Sequence, residues 1–549
     1  MVTLATKNER PGTRVPELLF ASARPTEPLT RALREVLAFA FARGTSEADL
    51  LGSFARRSLD STIDSKSIEQ DLFIDELLKD GFPIRVGERN YAPFRPALKR
   101  ILLHPPHSLK DIEFRQAILD ELSSSAALKD KTERAYEALR ELVRALFESP
   151  NFSTKGATLR RRLHILTSFV AAVRALAAID GFQSGLGRVG EFARGALRSS
   201  AHERVQELLA FEESRTIIEA RLKVGADGSL RHVEMLRSVE LSLPSAPRGA
   251  LGRFFRALFG MIKGHRFSEE DVLSQLIEGA FSAVEADIAT LIDVYLGFEF
   301  YLGALGFRTR AERAGLPTSL AHFSSERSYE SLWNPWLLGG NRTVTPTSMS
   351  FGGRSGTTIL TGPNSGGKTR LLQSIAITQL LGQSGLFVPA ASAELTLAPE
   401  MYFSLIERPS AEGDEGRLGT ELRRVRQVFE RCGPGALVIM DELCSGTNPS
   451  EGEEIFVMVL ELFEELRPVV FVSTHFLDFA SRLEAARGRA LDFYQVELDS
   501  EGLPTFRFIR GVATTSLASR TAERLGVTRD ELRRLSAERR RKIERPESA

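Results

Sequence analysis

Eight consecutive residues, Gly362, Pro363, Asn364, Ser365, Gly366, Gly367, Lys368 and Thr369, carry the strongest chemical signal in the chain. They follow the apolar run TTILT and lead into RLLQSIAITQLL, which reads as a helix. Glycines in such a loop let backbone N–H groups curl around phosphates. A lysine at the helix start adds a point charge, and the hydroxyl beside it suits magnesium. The stretch therefore predicts an ATP site with Mg2+, in which Lys368 meets the β and γ phosphates and Thr369 ligates the metal. A Gly-rich turn without a ligand is the plain alternative, and the strand-to-helix context speaks against it.

Two further strand ends supply acid and imidazole. ALVIMDE closes on Asp441 and Glu442. Asp441 is expected to hold magnesium, and Glu442 to orient or deprotonate the attacking water. Two acids after a buried run also suit a turn or a helix N-cap, but charges rarely sit beside a core without a partner. PVVFVSTHF ends on Thr474 and His475, and ligands of open parallel sheets sit at strand carboxyl ends. His475 is thus a candidate γ-phosphate sensor, against the plainer reading of a structural histidine.

Around these residues, short apolar runs alternate with amphipathic segments from about Ser331 onward, the pattern of a largely parallel α/β sheet. The N-terminal half reads as helices, with LTRALREVLAFAFA, SIEQDLFIDELLKD and the run from Asp111 spaced at three and four residues. A second helical block starts near Thr158, its stripe formed by Leu163, Leu166, Phe169, Val170 and Val173, and the Arg160 to Arg162 cluster reads as a solvated helix start. TIIEARLKV alternates apolar and charged residues before Asp227-Gly228 and LRHVEMLRSVE, which predicts a β-hairpin. A long helix is expected from Glu269 to about Gly306. The fold class is α plus α/β, with boundaries at 1–28 for a disordered lead-in, 29–157 for a helical core, 158–325 for long helices with the hairpin, 326–510 for the nucleotide domain and 511–549 for a C-terminal segment and tail.

Across 549 residues, 72 Lys plus Arg balance 72 Asp plus Glu, which argues against a globally basic nucleic-acid coating protein. Any polyanion site must be local. Residues 248–266 are the candidate, with Arg248, Arg253, Arg256, Lys263 and Arg266 among Phe254, Phe255 and Phe259 and no acid. The cations suit phosphates and the rings suit unpaired bases. A snorkelling core helix, a membrane-surface element and a protein-docking site compete with that reading. Cys432 and Cys444 have neither zinc nor disulfide-framework spacing, no signal core opens the chain, and Arg174, Asp293 and Glu299 interrupt the most apolar stretches. A cytoplasmic protein without a membrane span is expected.

TGPNSGGKTRLLQSIAITQLLGQSGLFVPAASAEL and LVIMDELCSGTNPSEGEEIF closely resemble the ATPase domain of the MutS family of mismatch-repair proteins. The shared marks are Pro363-Asn364, the FVPA element at Phe387 to Ala390, Gly446-Thr447 after the acids, and Thr474-His475. The resemblance implies an ABC-type P-loop ATPase acting as a homodimer through its ATPase domains, with a C-terminal helix-turn-helix in RGVATTSLASRTAERLGVTRDELRRL and core and lever helices upstream that connect to DNA. Gly416 stands where the family has a serine that reaches the partner's nucleotide, and Arg417 beside it is a candidate to reach across instead. Neither a Phe-x-Glu mismatch-reading element nor an Smr nuclease domain is found, which points to a short, divergent relative set apart from the recombination-suppressing branch. The expected activity is ATP hydrolysis coupled to lever movement on a DNA structure; the alternative is a nucleotide-switched protein-interaction module with no DNA ligand.

Overall fold

The computed structural model describes residues 16–22, 30–55, 65–148, 155–212, 216–224, 230–240, 269–338, 343–351, 356–363, 365–405, 416–444, 447–486, 491–514 and 525–544. The chain forms two compact units. One comprises Met1–Asp60, Leu78–Thr309 and Ser384–Leu386; the other comprises Ser61–Leu77, Arg310–Gln383 and Phe387–Ala549.

The first unit is built from helices. The run from Asp111 divides at Ser125, whose side chain accepts from Leu128 N and so starts Ala126–Phe147 after Leu109–Ser124 has ended. Thr30 caps Arg31–Arg43 in the same way. The expected hairpin is present, with Thr216–Val224 antiparallel to Leu230–Glu240; its Asp227-Gly228 turn lies outside the described residues. The long helix Glu269–Arg313 has 45 residues and runs past the expected end at Gly306. By length and composition Val272–Arg313 is apolar enough to cross a membrane, but its most apolar window is 94% buried inside the structure.

The reading of Arg160 to Arg162 as a solvated cluster needs correction. Arg160 is exposed, Arg162 pairs with Glu278 at 2.8 Å, and Arg161 is buried. The Arg161 guanidinium donates to the carbonyls of Ala40, Phe41, Leu146 and Glu148. These close Arg31–Arg43 and Ala126–Phe147, whose last carbonyls have no partner within their own helices. The same unit holds Glu299, 1% exposed, whose carboxylate accepts from Phe94 N at 2.8 Å and from the Tyr136 hydroxyl at 3.3 Å.

The second unit holds a six-stranded sheet. Its strands are β1 (Gly356–Thr361), β2 (Met401–Ser404), β3 (Leu437–Met440), β4 (Val469–Ser473), β5 (Leu491–Leu498) and β6 (Pro504–Arg510). They run in the order β2-β3-β4-β1-β5-β6, all parallel except the β5–β6 pair. LVIM and VVFVS are buried along their whole length, as strands covered on both faces must be. The helices are α1 (Lys368–Gln383), α2 (Gly416–Arg431), α3 (Pro449–Leu466), α4 (Leu477–Ala485) and α5 (Arg529–Glu544). One apolar cluster joins Ile359, Val438, Met440, Val470 and Val472 of the sheet to Val425 and Val428 of α2, Phe456, Leu460 and Phe463 of α3, and Phe479 of α4. Helix α1 packs against β3 and β4 and is buried on nearly all sides.

A smaller four-stranded sheet, His322–Phe323, Ser392–Leu395, Arg327–Leu332 and Thr347–Phe351, belongs to the same unit. Buried Arg327 bonds Tyr329, Gln379 of α1 and Thr396, tying this sheet to the helix that follows the loop. The helix Ser65–Asp71, remote in sequence, also counts here: Asp71 Oδ2 accepts the Leu405 N–H at 2.8 Å, just past β2. Of the expected C-terminal helix-turn-helix, only the helix α5 falls among the described residues, and 515–524 lie outside them.

Candidate functional site

The carboxyl ends of β1, β4 and β3 lie side by side, and the candidate residues follow them. From β1 the chain enters the loop at Gly362, with φ 131°, and leaves it at Gly367, with φ 93°, before α1 begins at Lys368. Both angles lie in the region that favours glycine. A Cβ on Gly362 would stand 2.7 Å from Val496 Cγ2 of β5, so the close strand also requires a hydrogen there. Gly366 N donates to Pro363 O at 2.9 Å and shapes the turn, Ser365 is exposed, and Asn364 lies outside the described residues.

Lys368 is 4% exposed, and its Nζ folds back onto the carbonyls of Gly362 at 2.9 Å and Pro363 at 3.2 Å. Burial holds its pKa below the ordinary lysine value, while Glu442 and Asp441 pull the other way. Glu442 Oε1 stands 4.0 Å from that Nζ. An anion in the loop would favour the charged ammonium, so a phosphate suits the site.

Thr369 Oγ1 donates to Asp441 Oδ2, and Ser473 Oγ donates to Asp441 Oδ1. The Ser473 oxygen also accepts the Glu442 N–H at 2.8 Å. A continuous chain of bonds thus runs from the first turn of α1 through both acids to the end of β4. Thr369 and Asp441 present adjacent hard oxygen atoms, the donor type magnesium prefers, so the residues fit that ion. Glu442 and Cys444 have φ values of 51° and 61°, a left-handed backbone that costs non-glycine residues energy and is found where the surroundings enforce it. Cys432 and Cys444 are free and buried, and burial pushes each thiol up to about 11.

Thr474 N bonds Leu360 O at 3.0 Å, which sets His475 beside the end of β1, half-buried with its ring 4.2 Å from that of Phe476. Arg417 lies in the first turn of α2, its side chain outside the described residues, and Arg253, Arg256, Lys263 and Arg266 lie wholly outside them. Three contributors were given no role in the sequence reading. Ser473 stands one residue before the Thr-His pair and its hydroxyl was the available signal; Glu421 of α2 accepts the Cys444 N–H at 3.0 Å. Phe506, exposed with φ 62°, has a ring carbon 3.4 Å from where a Cβ on Gly367 would stand.

Sheet, glycine loop and acidic turn define an open α/β domain whose strand ends are shaped for an anion and a hard cation. Residues 358–527 match MutS domain V. The likeness to the MutS family thus lies in the C-terminal α/β domain of this chain. Among similar proteins, the Endonuclease MutS2 of Thermomicrobium roseum is 30% identical over 225 residues, 38% of this chain and 28% of that protein. That of Thermus thermophilus is 35% identical over 182 residues, 33% and 24% of the two chains. That of Staphylococcus carnosus is 26% identical over 260 residues, 46% and 32%. The chain thus spans less than a third of the length of each of these relatives.

Proposed function

We propose that the α/β domain binds ATP with magnesium and hydrolyses it, and that this cycle drives a MutS-like change on DNA. The carrying observation is the bonded chain Thr369–Asp441–Ser473–Glu442, which ties the glycine loop to the acidic turn. Lys368 neutralises phosphate charge, Thr369 and Asp441 hold magnesium, and the metal supplies charge stabilisation to the transferred phosphoryl group. Glu442 takes the proton of the attacking water, and His475 senses the γ-phosphate. Phe506 lies over the loop where a base can stack.

Homodimerisation is part of this reading, supported by the exposed apolar residues Leu525, Val527, Leu532 and Leu535 in and before α5. Arg417 is proposed to reach the partner's nucleotide, and the acid-free stretch with Arg253, Arg256, Lys263 and Arg266 to meet DNA phosphates. The test is nucleotide binding and turnover by Lys368→Ala and Glu442→Gln in the full chain. The first should lose ATP binding; the second should bind ATP and barely turn over. Wild-type turnover in either rejects the assignment. Filter binding to duplex, mismatched, branched and single-stranded DNA across salt tests the DNA part: affinity should fall with salt and respond to nucleotide. No binding at low salt favours a protein-interaction switch instead.

A further inference from the structure

Helix α2 grips the acidic turn at two points. Glu421 and Arg424 are three residues apart and so share one face of the helix. Glu421 Oε2 accepts the Cys444 N–H at 3.0 Å, after the two acids. Arg424 Nη1 donates to Ser404 Oγ at 3.1 Å, and the Ser404 carbonyl accepts the Asp441 N–H at 2.8 Å, at the first acid. Ser404, Glu421, Arg424 and Asp441 line one small cavity between α2 and strands β2 and β3.

The turn needs such restraint. Glu442 and Cys444 both hold a left-handed backbone, and such residues persist when several neighbours fix them together. The amides of Asp441, Glu442 and Cys444 are held from β2, β4 and α2 respectively. Cys444 is fully buried, so its N–H has no access to water if the carboxylate is withdrawn.

We infer that Glu421 is a positioning residue, which fixes the orientation of Glu442 through the Cys444 amide, with Arg424 the second anchor of the same helix face. Helix α2 thereby sets the geometry of water activation, and a shift of α2 lowers the hydrolysis rate without touching the phosphate loop. This rests on the reading of Glu442 as the group that activates water.

The test uses the full chain, with ATP affinity measured separately from single-turnover hydrolysis. Glu421→Leu removes the acceptor and should slow hydrolysis about tenfold or more, while the Kd for ATP stays within about threefold. Glu421→Gln keeps a carbonyl acceptor and should recover most of the rate. Arg424→Met, which keeps the stem and drops the donor, should slow hydrolysis in the same pattern and serves if Glu421→Leu does not fold. Unchanged hydrolysis in Glu421→Leu, no recovery in Glu421→Gln, or an equal loss of rate and affinity in Arg424→Met overturns the inference. Equal turnover by wild type and Glu442→Gln removes instead the reading on which it rests.

Discussion

Replacing Ser473 by alanine removes one oxygen that serves both acids of the turn. Ser473 is fully buried; its hydroxyl donates to Asp441 Oδ1 and accepts from Glu442 N at 2.8 Å. Losing the acceptor leaves the part-buried Glu442 N–H without that partner, at a cost of about 1–3 kcal/mol. If that bond orients Glu442 in the transition state, the same energy appears in the barrier, and kcat falls by about 5- to 150-fold. The nucleotide should still bind, because Lys368 is seated by the carbonyls of Gly362 and Pro363 and not by Ser473. An affinity change within about threefold is expected, since the lost interaction acts on the barrier more than on ground-state binding. Ser473→Thr restores the hydroxyl and should restore most of the rate. The assay is single-turnover ATP hydrolysis beside equilibrium nucleotide binding. A Ser473→Ala chain with wild-type kcat would refute the reasoning, because the bridge would then be absent without consequence.

Glu299 should make the stability of the helical unit depend on pH. Burial raises its carboxyl from 4.5 to about 7, against the opposing hydrogen bonds from Phe94, Tyr295 and Tyr136, with Glu47 adding a like charge. Between those values the folded chain keeps a proton that the unfolded chain has lost, so the stability is full below about 4.5, falls as pH rises to about 7, and then levels. The span corresponds to about 3 kcal/mol, and Glu299→Gln should flatten the change in melting temperature between acidic and mildly alkaline buffer; an undiminished slope counts against the assignment. Phe506→Ala should weaken ATP more than inorganic triphosphate, by about three- to tenfold for a lost stacking contact. Equal losses for both ligands in a competition assay would show that the ring does not meet the base.

The parts of the site that lie in one contiguous stretch were legible in the sequence. Gly362, Gly367 and Lys368 fall in one loop, and the apolar runs before them and before Asp441 read as strands because both faces are covered. The hairpin showed in the alternation of Ile218, Ala220, Leu222 and Val224 with charged residues. Groups supplied by a distant element carried no such mark. Asp71 meets the end of β2 across 334 residues, and Glu421 reaches the acidic turn from another helix. Arg161 looked like a solvated charge because a run of three arginines gives no hint of the four carbonyls that the fold turns toward the middle one.

The sheet order explains why Ser473 in particular had to wait for the fold. Strand β4 lies between β1 and β3, so the loop and the acids leave strands about 10 Å apart at ordinary sheet spacing. Thr369 nevertheless bonds Asp441, and Lys368 stands 4.0 Å from Glu442, so the loop side must lean over the end of the intervening strand. The residue at that end has to be short enough to fit beneath the contact and polar enough to serve the two acids beside it. Serine meets both demands. A leucine at 473 would separate Thr369 from Asp441, and an alanine would leave the contact in place but the turn unheld, which is why the two substitutions should fail differently: the first in magnesium and nucleotide binding, the second in turnover.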